Sequence, residues 1–244
     1  MGASAWKYYT SPTFPPLPLL ESTAPGQMMI VEQPTDLNLL SGRYVSAACS
    51  FIHNQTSANR KWLLYMAFSH VHVPDFASKP FCNATRRGRF GDALLELDTA
   101  VGAIMRAVED AGALHSTLTF FTSDNGPWLV KKLSGGSAGL LRDGKTTTWE
   151  GGVREPGIIS WPGTIEAGRV SAEVVTTYDI FTTVLTLVGA PLPTDRAIDG
   201  KDIMPLLLNA SAPSPHACVF HWKVCHLPHL PPSMAFSPSH TFSP

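Results

Sequence analysis

At 244 residues, 44% hydrophobic and 15% charged, the chain is long enough to bury a core and too apolar to be disordered throughout. A formal net charge of -1, with no run of Lys or Arg, excludes a surface built to neutralise a phosphate backbone, so nucleic acid is not an expected partner. No stretch reaches the roughly 18 uninterrupted apolar residues of a membrane span, and the start of the chain lacks the basic-then-apolar pattern of a signal peptide.

In chain order, residues 1–33 are rich in Pro (Pro12, Pro15, Pro16, Pro18, Pro25) and poor in periodic apolar positions, which predicts an irregular leader. The ordered domain is expected over 34–220. Within it Trp62 to Phe68 (WLLYMAF) reads as a buried strand. From Phe90 to Val108, the apolar residues Phe90, Leu94, Leu97, Val101, Ile104 and Val108 fall at spacings of four and three, one face of a helix. Leu118 to Thr122 and Gly157 to Trp161 read as further strands. A second helix is predicted over Tyr178 to Val188, stopped by Gly189 and Pro191. Residues 221–244 turn to Pro, Ser and His and predict no element. Strands alternating with helices of this length give an α/β fold with a mainly parallel sheet covered on both faces.

In such sheets the chemistry gathers at the carboxyl ends of the strands. Two motifs stand there: Ser69-His70-Val71-His72-Val73-Pro74, after WLLYMAF, and Thr122-Ser123-Asp124-Asn125-Gly126-Pro127, after the LTFFT strand. Asp124 and Asn125 offer adjacent hard oxygen donors of the kind calcium or magnesium takes, although Asp-Asn-Gly is also the composition of a tight turn. Calcium needs six or more oxygens, so other carboxylates would have to complete the shell. His70 and His72 alternate; as a pair they suit proton transfer or hydrogen bonding better than zinc, which needs more ligands. A third segment, Leu140 to Pro156, mixes Arg142, Lys145 and Arg154 with Gly and hydroxyls, a composition that can set a cation against an anion. It lacks the spacing of a phosphate-binding P-loop.

Taken in order, HVHVP at 70–74, FFTSDNGP at 120–127 and GKTTTWEGGVREPGIISWPG at 144–163 resemble the type I sulfatases, in particular the branch of arylsulfatase A and N-acetylgalactosamine-6-sulfatase. ASKPF at 77–81, RGRFGDALLELD at 87–98 and PTDRAIDG at 193–200 add to the likeness. The resemblance implies an alkaline-phosphatase-like α/β sandwich that hydrolyses sulfate esters with a formylglycine nucleophile and calcium. It implies that Asp124 and Asn125 bind the metal, that Lys145 contacts the sulfate, and that His72 gives a proton to the leaving oxygen; His70 has no assured counterpart. It also implies a sulfated small molecule, lipid or glycan as substrate and a lysosomal or secreted setting.

The departures carry weight. The paired aspartates, the C-x-P-S-R segment and the G-K-W-H-x-G segment of the family have no match here, so the chain is expected to be a fragment, incomplete at its N-terminus and inactive as given. A non-catalytic isoform acting by binding is the alternative expectation. Cys82-Asn83-Ala84-Thr85-Arg86 fits a looser nucleophile pattern, but in the wrong place in family order, and it doubles as a glycosylation sequon. Further sequons stand at Asn54 and Asn209. Cys49, Cys82, Cys218 and Cys225 form no CxxC pair, and their mixture with His216, His221, His226 and His229 near the end is a weak pattern for zinc.

Overall fold

The computed structural model describes residues 16–221. Part of the stretch expected to be irregular is a hairpin: β1 (Leu19–Ala24) pairs antiparallel with β2 (Gln27–Glu32), with Ala24 opposite Gln27. The turn is Pro25-Gly26, where proline presets φ and Gly26 takes φ 79°, a conformation that costs a residue with a Cβ. Two contacts tie the hairpin region to the start of the first helix: Thr35 N–H donates to the Leu17 carbonyl (2.8 Å), and Arg43 pairs with Glu32.

Two long helices, packed side by side, make the body of the fold. Helix α1 (Leu37–Ser57) starts at Asp36, whose side chain accepts the Asn38 N–H at 3.0 Å. Leu37, Leu40, Ala48 and Ile52 line its buried face. Helix α2 (Gly88–Asp110) contains the predicted span, and Ile104 and Val108 are buried as expected, but in its N-terminal half the inward face is shifted by about one residue from the expected one. Ala93, Glu96, Ala100, Ile104 and Val108 are buried, whereas Leu94 and Leu95 are exposed. The rotation has a chemical cause. Asp92 and Glu96 face inward because each accepts hydrogen bonds from the backbone of the loop that precedes the helix.

The main core joins Ala48 and Ile52 of α1 to Ile104 and Val108 of α2, with Ala113 beyond. Trp62, Leu64, Met66 and Phe68 pack against it, and their intervening neighbours Leu63 and Tyr65 are 72% and 87% exposed. Residues 61–68 therefore have a strand's alternation, but no ladder of hydrogen bonds makes them one among the described residues. Strands β3 (Thr119–Thr122) and β4 (Gly157–Ser160) fall where the sequence predicts strands, but pair antiparallel, Thr119 opposite Ser160 and Thr122 opposite Gly157. The α/β class holds; the ladders among the described residues are two antiparallel pairs, in place of the expected parallel sheet.

A short helix, α3 (Glu150–Val153), precedes β4. After β4, α4 (Tyr178–Leu187) ends as expected at Gly189, which takes φ 69° while Ala190 N–H caps the Leu185 carbonyl at 2.9 Å. The short helix α5 (Met204–Leu208) packs on it through Thr183, which accepts the Ile203 N–H at 3.1 Å.

Candidate functional site

Three loops build the site. The first, residues 69–78, follows the extended segment 61–68 and is pinned to α2. His70 Nε2 lies 3.1 Å from Glu96 Oε2, and the same oxygen accepts the Ser78 N–H at 2.8 Å. The His70 ring stands edge-on to Phe76, centroids 4.4 Å apart. Burial pulls the Glu96 carboxyl upward, but the bonds from His70 and Ser78 overcome it and hold the group below its ordinary range. A carboxylate only accepts, so His70 carries hydrogen on Nε2. Two residues on, exposed His72 sets Nδ1 2.8 Å from the Val73 carbonyl. That carbonyl can only accept, so Nδ1 is the protonated nitrogen and Nε2 is left for a ligand.

The second and third loops, around 122–129 and 142–155, are clamped by their backbones. Gly126 N–H donates to the Gly152 carbonyl at 3.0 Å, Lys145 N–H to the Pro127 carbonyl at 2.9 Å, and Gly151 N–H to the Arg142 carbonyl at 2.8 Å. The approach is close enough to require glycine: a Cβ on Gly126 would sit 1.9 Å from the Gly151 oxygen. The run of glycines at 144, 151 and 152 is thus a packing device, and α3 lies in the clamp.

This clamp sets Lys145 beside Trp128. The Lys145 ammonium is 5.7 Å from the indole centroid and the His72 ring is 6.2 Å from it, tilted by 43°. Residues 72 and 145, far apart in the chain, thus meet at one indole. Lys131 joins them, its ammonium 4.5 Å from the same ring. Trp128 and Lys131 escape a reading of the sequence alone; the usable signal is an aromatic directly after the Asp-Asn-Gly-Pro motif.

Asp124 and Asn125 stand at the start of the same loop. The Asn125 Nδ2 donates to the Gly126 carbonyl at 3.0 Å, which commits its amide nitrogen locally and leaves Oδ1 as the oxygen with lone pairs to offer a cation. Glu155, from the third loop, has a buried Oε1 with no hydrogen-bond partner. Burial raises the Glu155 carboxyl above its ordinary range; Ser123 partly offsets this, and the negative charge of Asp124 adds to it. An orphaned carboxylate oxygen repelled by a neighbouring carboxylate is an arrangement that a hard dication would relieve. These groups are oxygen donors for part of a calcium shell only: among the described residues no group of three His, Cys, Asp or Glu could hold a metal together.

Asp75, within the His72 loop, is likewise buried, with neither carboxylate oxygen hydrogen-bonded. Burial raises its carboxyl, with Ser134 and Arg89 acting in the opposite direction. Cys82 is half-buried, and its thiol donates to the carbonyls of Ala77 (3.4 Å) and Ser78 (3.5 Å), a bonding pattern internal to its turn. His216 pairs with fully buried Asp179, Nε2 to Oδ1 2.8 Å, and Cys218 is a free thiol; Cys225, His226 and His229 lie outside the described residues.

The sulfatase family profile matches residues 22–190, a span that holds all three loops. The chain belongs to the sulfatase family. It is 42% identical to arylsulfatase A of Homo sapiens over 85% of this chain and 39% of that protein, and 40% identical to steryl-sulfatase of Rattus norvegicus over 81% and 35%. It is 46% identical to N-acetylgalactosamine-6-sulfatase of Canis lupus familiaris over 68% of this chain and 32% of that one. A crystal structure of a sulfatase from Pseudoalteromonas sp. superposes with a TM-score of 0.79 at 30% identity, covering 84% of this chain and 42% of that one. The chain thus spans between about a third and two fifths of the length of these curated sulfatases.

Proposed function

We propose that the chain forms the sulfate-binding and leaving-group side of a sulfuric ester hydrolase site. What supports this best is the meeting of His72 and Lys145 at Trp128. A sulfate ester carries its negative charge on the non-bridging oxygens. An ammonium beside them stabilises that charge, most of all as more builds up in the transition state. In this reading Lys145 binds a sulfate oxygen, and His72, as the imidazolium, gives its Nε2 proton to the leaving oxygen while Nδ1–H stays bonded to the Val73 carbonyl. Asp124 and Asn125, with Glu155 near Asp124, would hold calcium, which would supply positive charge to stabilise the sulfate.

The ester is a sulfated small molecule, lipid or glycan, in keeping with relatives named for aryl, steryl and N-acetylgalactosamine 6-sulfates. The setting is lysosomal or secreted; Asn54, Asn83 and Asn209 are all exposed, as sequons in use must be. The C-x-P-S-R motif that gives the family its formylglycine has no match in these 244 residues, and Cys82, bonded within its own turn, does not replace it. Expressed alone, the chain binds sulfate esters without turning them over.

The test is calorimetric titration of phenyl sulfate into the protein with calcium present, beside a turnover assay on an aryl sulfate. Saturable binding that Lys145→Ala weakens, without turnover, is the expected result. Binding indifferent to Lys145→Ala would remove the proposed site.

A further inference from the structure

The indole of Trp128 has one cation more than a sulfate monoester needs. Lys131 Nζ is 4.5 Å from its centroid and Lys145 Nζ is 5.7 Å away, both inside the roughly 6 Å over which an indole holds a cation. Lys145 arrives from the third loop through its bond to Pro127. Lys131 arrives by a different route: its N–H donates to the Trp128 carbonyl at 2.9 Å, a tight turn that carries the side chain back over the ring. The chain then folds under Trp128 again at Gly135, where a Cβ would stand 1.9 Å from the Trp128 oxygen. The turn is thus held against Trp128 by its backbone, with the exposed Lys131 side chain over the ring. Lys131 is exposed, and it makes no ion pair among the described residues.

We propose that Lys131 and the face of Trp128 form a subsite for a second anionic group, a carboxylate or a second sulfate, carried on the ring of the ester's organic part. The inference rests on the sulfate-binding reading above. A half-buried indole gives a sugar or aryl ring an apolar surface to lie on. The Lys131 ammonium, held 4.5 Å from the indole centroid, then selects rings that bear a further negative charge, and Lys145 and His72 remain for the reacting sulfate. A purely structural Lys131 would contribute only a surface cation–π contact and would read no ligand.

The test compares phenyl sulfate with 3-carboxyphenyl sulfate by calorimetry, with calcium present, on the parent protein, Lys131→Gln and Lys145→Ala, with the melting temperature of each as a folding control. The parent is expected to bind the carboxylated ester about tenfold more tightly, the gain of one charge-assisted contact. Lys131→Gln should abolish that preference and leave phenyl sulfate unchanged; Lys145→Ala should weaken both. A parent that does not prefer the carboxylated ester, or a preference that survives Lys131→Gln, overturns the subsite while the sulfate site stands. If Lys145→Ala changes neither ligand, or neither ligand binds the parent, the sulfate-binding reading fails and the subsite fails with it.

Discussion

His70 and Glu96 form a buried pair, Nε2 to Oε2 3.1 Å, with side chains 3% and 5% exposed. It ties the loop carrying His72 to the centre of α2, and the Ser78 N–H on the same carboxylate ties the far end of that loop. Removing the carboxylate leaves the buried His70 N–H without an acceptor, at a cost of about 1–3 kcal/mol. Glu96→Ala is expected to fall in that range by urea unfolding.

The pair also sets a pH dependence. The Glu96 carboxyl is held below its ordinary 4.5 in the folded protein, so the unfolded chain takes up the proton first as pH falls. Its contribution to stability is fully present above the unfolded value and is lost as pH falls through the lower folded one. Denaturant midpoints measured from pH 7 down into acid should decline in this window for the parent and stay flatter for Glu96→Gln.

Asp75 has the opposite sign. Burial raises its carboxyl above 3.8, so this group favours folding only while protonated, and its contribution is lost as pH rises through the folded value. With both oxygens unpartnered, Asp75→Asn should raise the melting temperature at pH 7, and the gain should shrink in acid below the ordinary value. An unchanged melting temperature at pH 7 would mean that Ser134 and Arg89 already satisfy the carboxylate.

The clamp between the second and third loops depends on Gly126. In Gly126→Ala the new methyl meets the Gly151 carbonyl, so the loops must part and the bond to Gly152 is lost. Lys145 then leaves Trp128, and phenyl sulfate binding should drop at least about tenfold, the worth of one charge-assisted contact. The core formed by Ile52, Ile104 and Val108 should be untouched. Ile52→Ala should show the reverse: a loss of about 2–5 kcal/mol in stability with binding retained below the new transition.

How much of this the sequence disclosed depends on what kind of signal each part leaves. The spans of α2, β3, β4 and α4 are legible because period and stop residues are local, with Gly189 ending α4 where expected. The hairpin is hidden by its own composition, since Pro25 and Gly26 read as breakers and only pairing makes them a turn. Helix α1 escapes notice although Asp36 precedes a run with Leu37, Leu40, Tyr44, Ala48 and Ile52 at helical spacing; its interspersed Ser and Gly blur the stripe. The inward face of α2 differs from the periodic one because Asp92 and Glu96 are buried for bonds that no periodicity reveals. At the site, the motifs name His72, Asp124, Asn125 and Lys145, but the meeting of His72 and Lys145 at Trp128 is a product of the glycine clamp, and Lys131 reaches the ring through a turn that carries no motif.

One sulfate-ester site served by both His72 and Lys145 is the core of the proposed function. Its most direct measurement is the His72 ring signal in the nuclear magnetic resonance spectrum, followed while phenyl sulfate is titrated in with calcium, in the parent and in Lys145→Ala. A saturable shift of the His72 signal is expected in the parent, with the His115 ring unmoved, and loss or marked weakening of that shift in Lys145→Ala. A His72 signal that ignores the ester, or moves equally in both proteins, would contradict it.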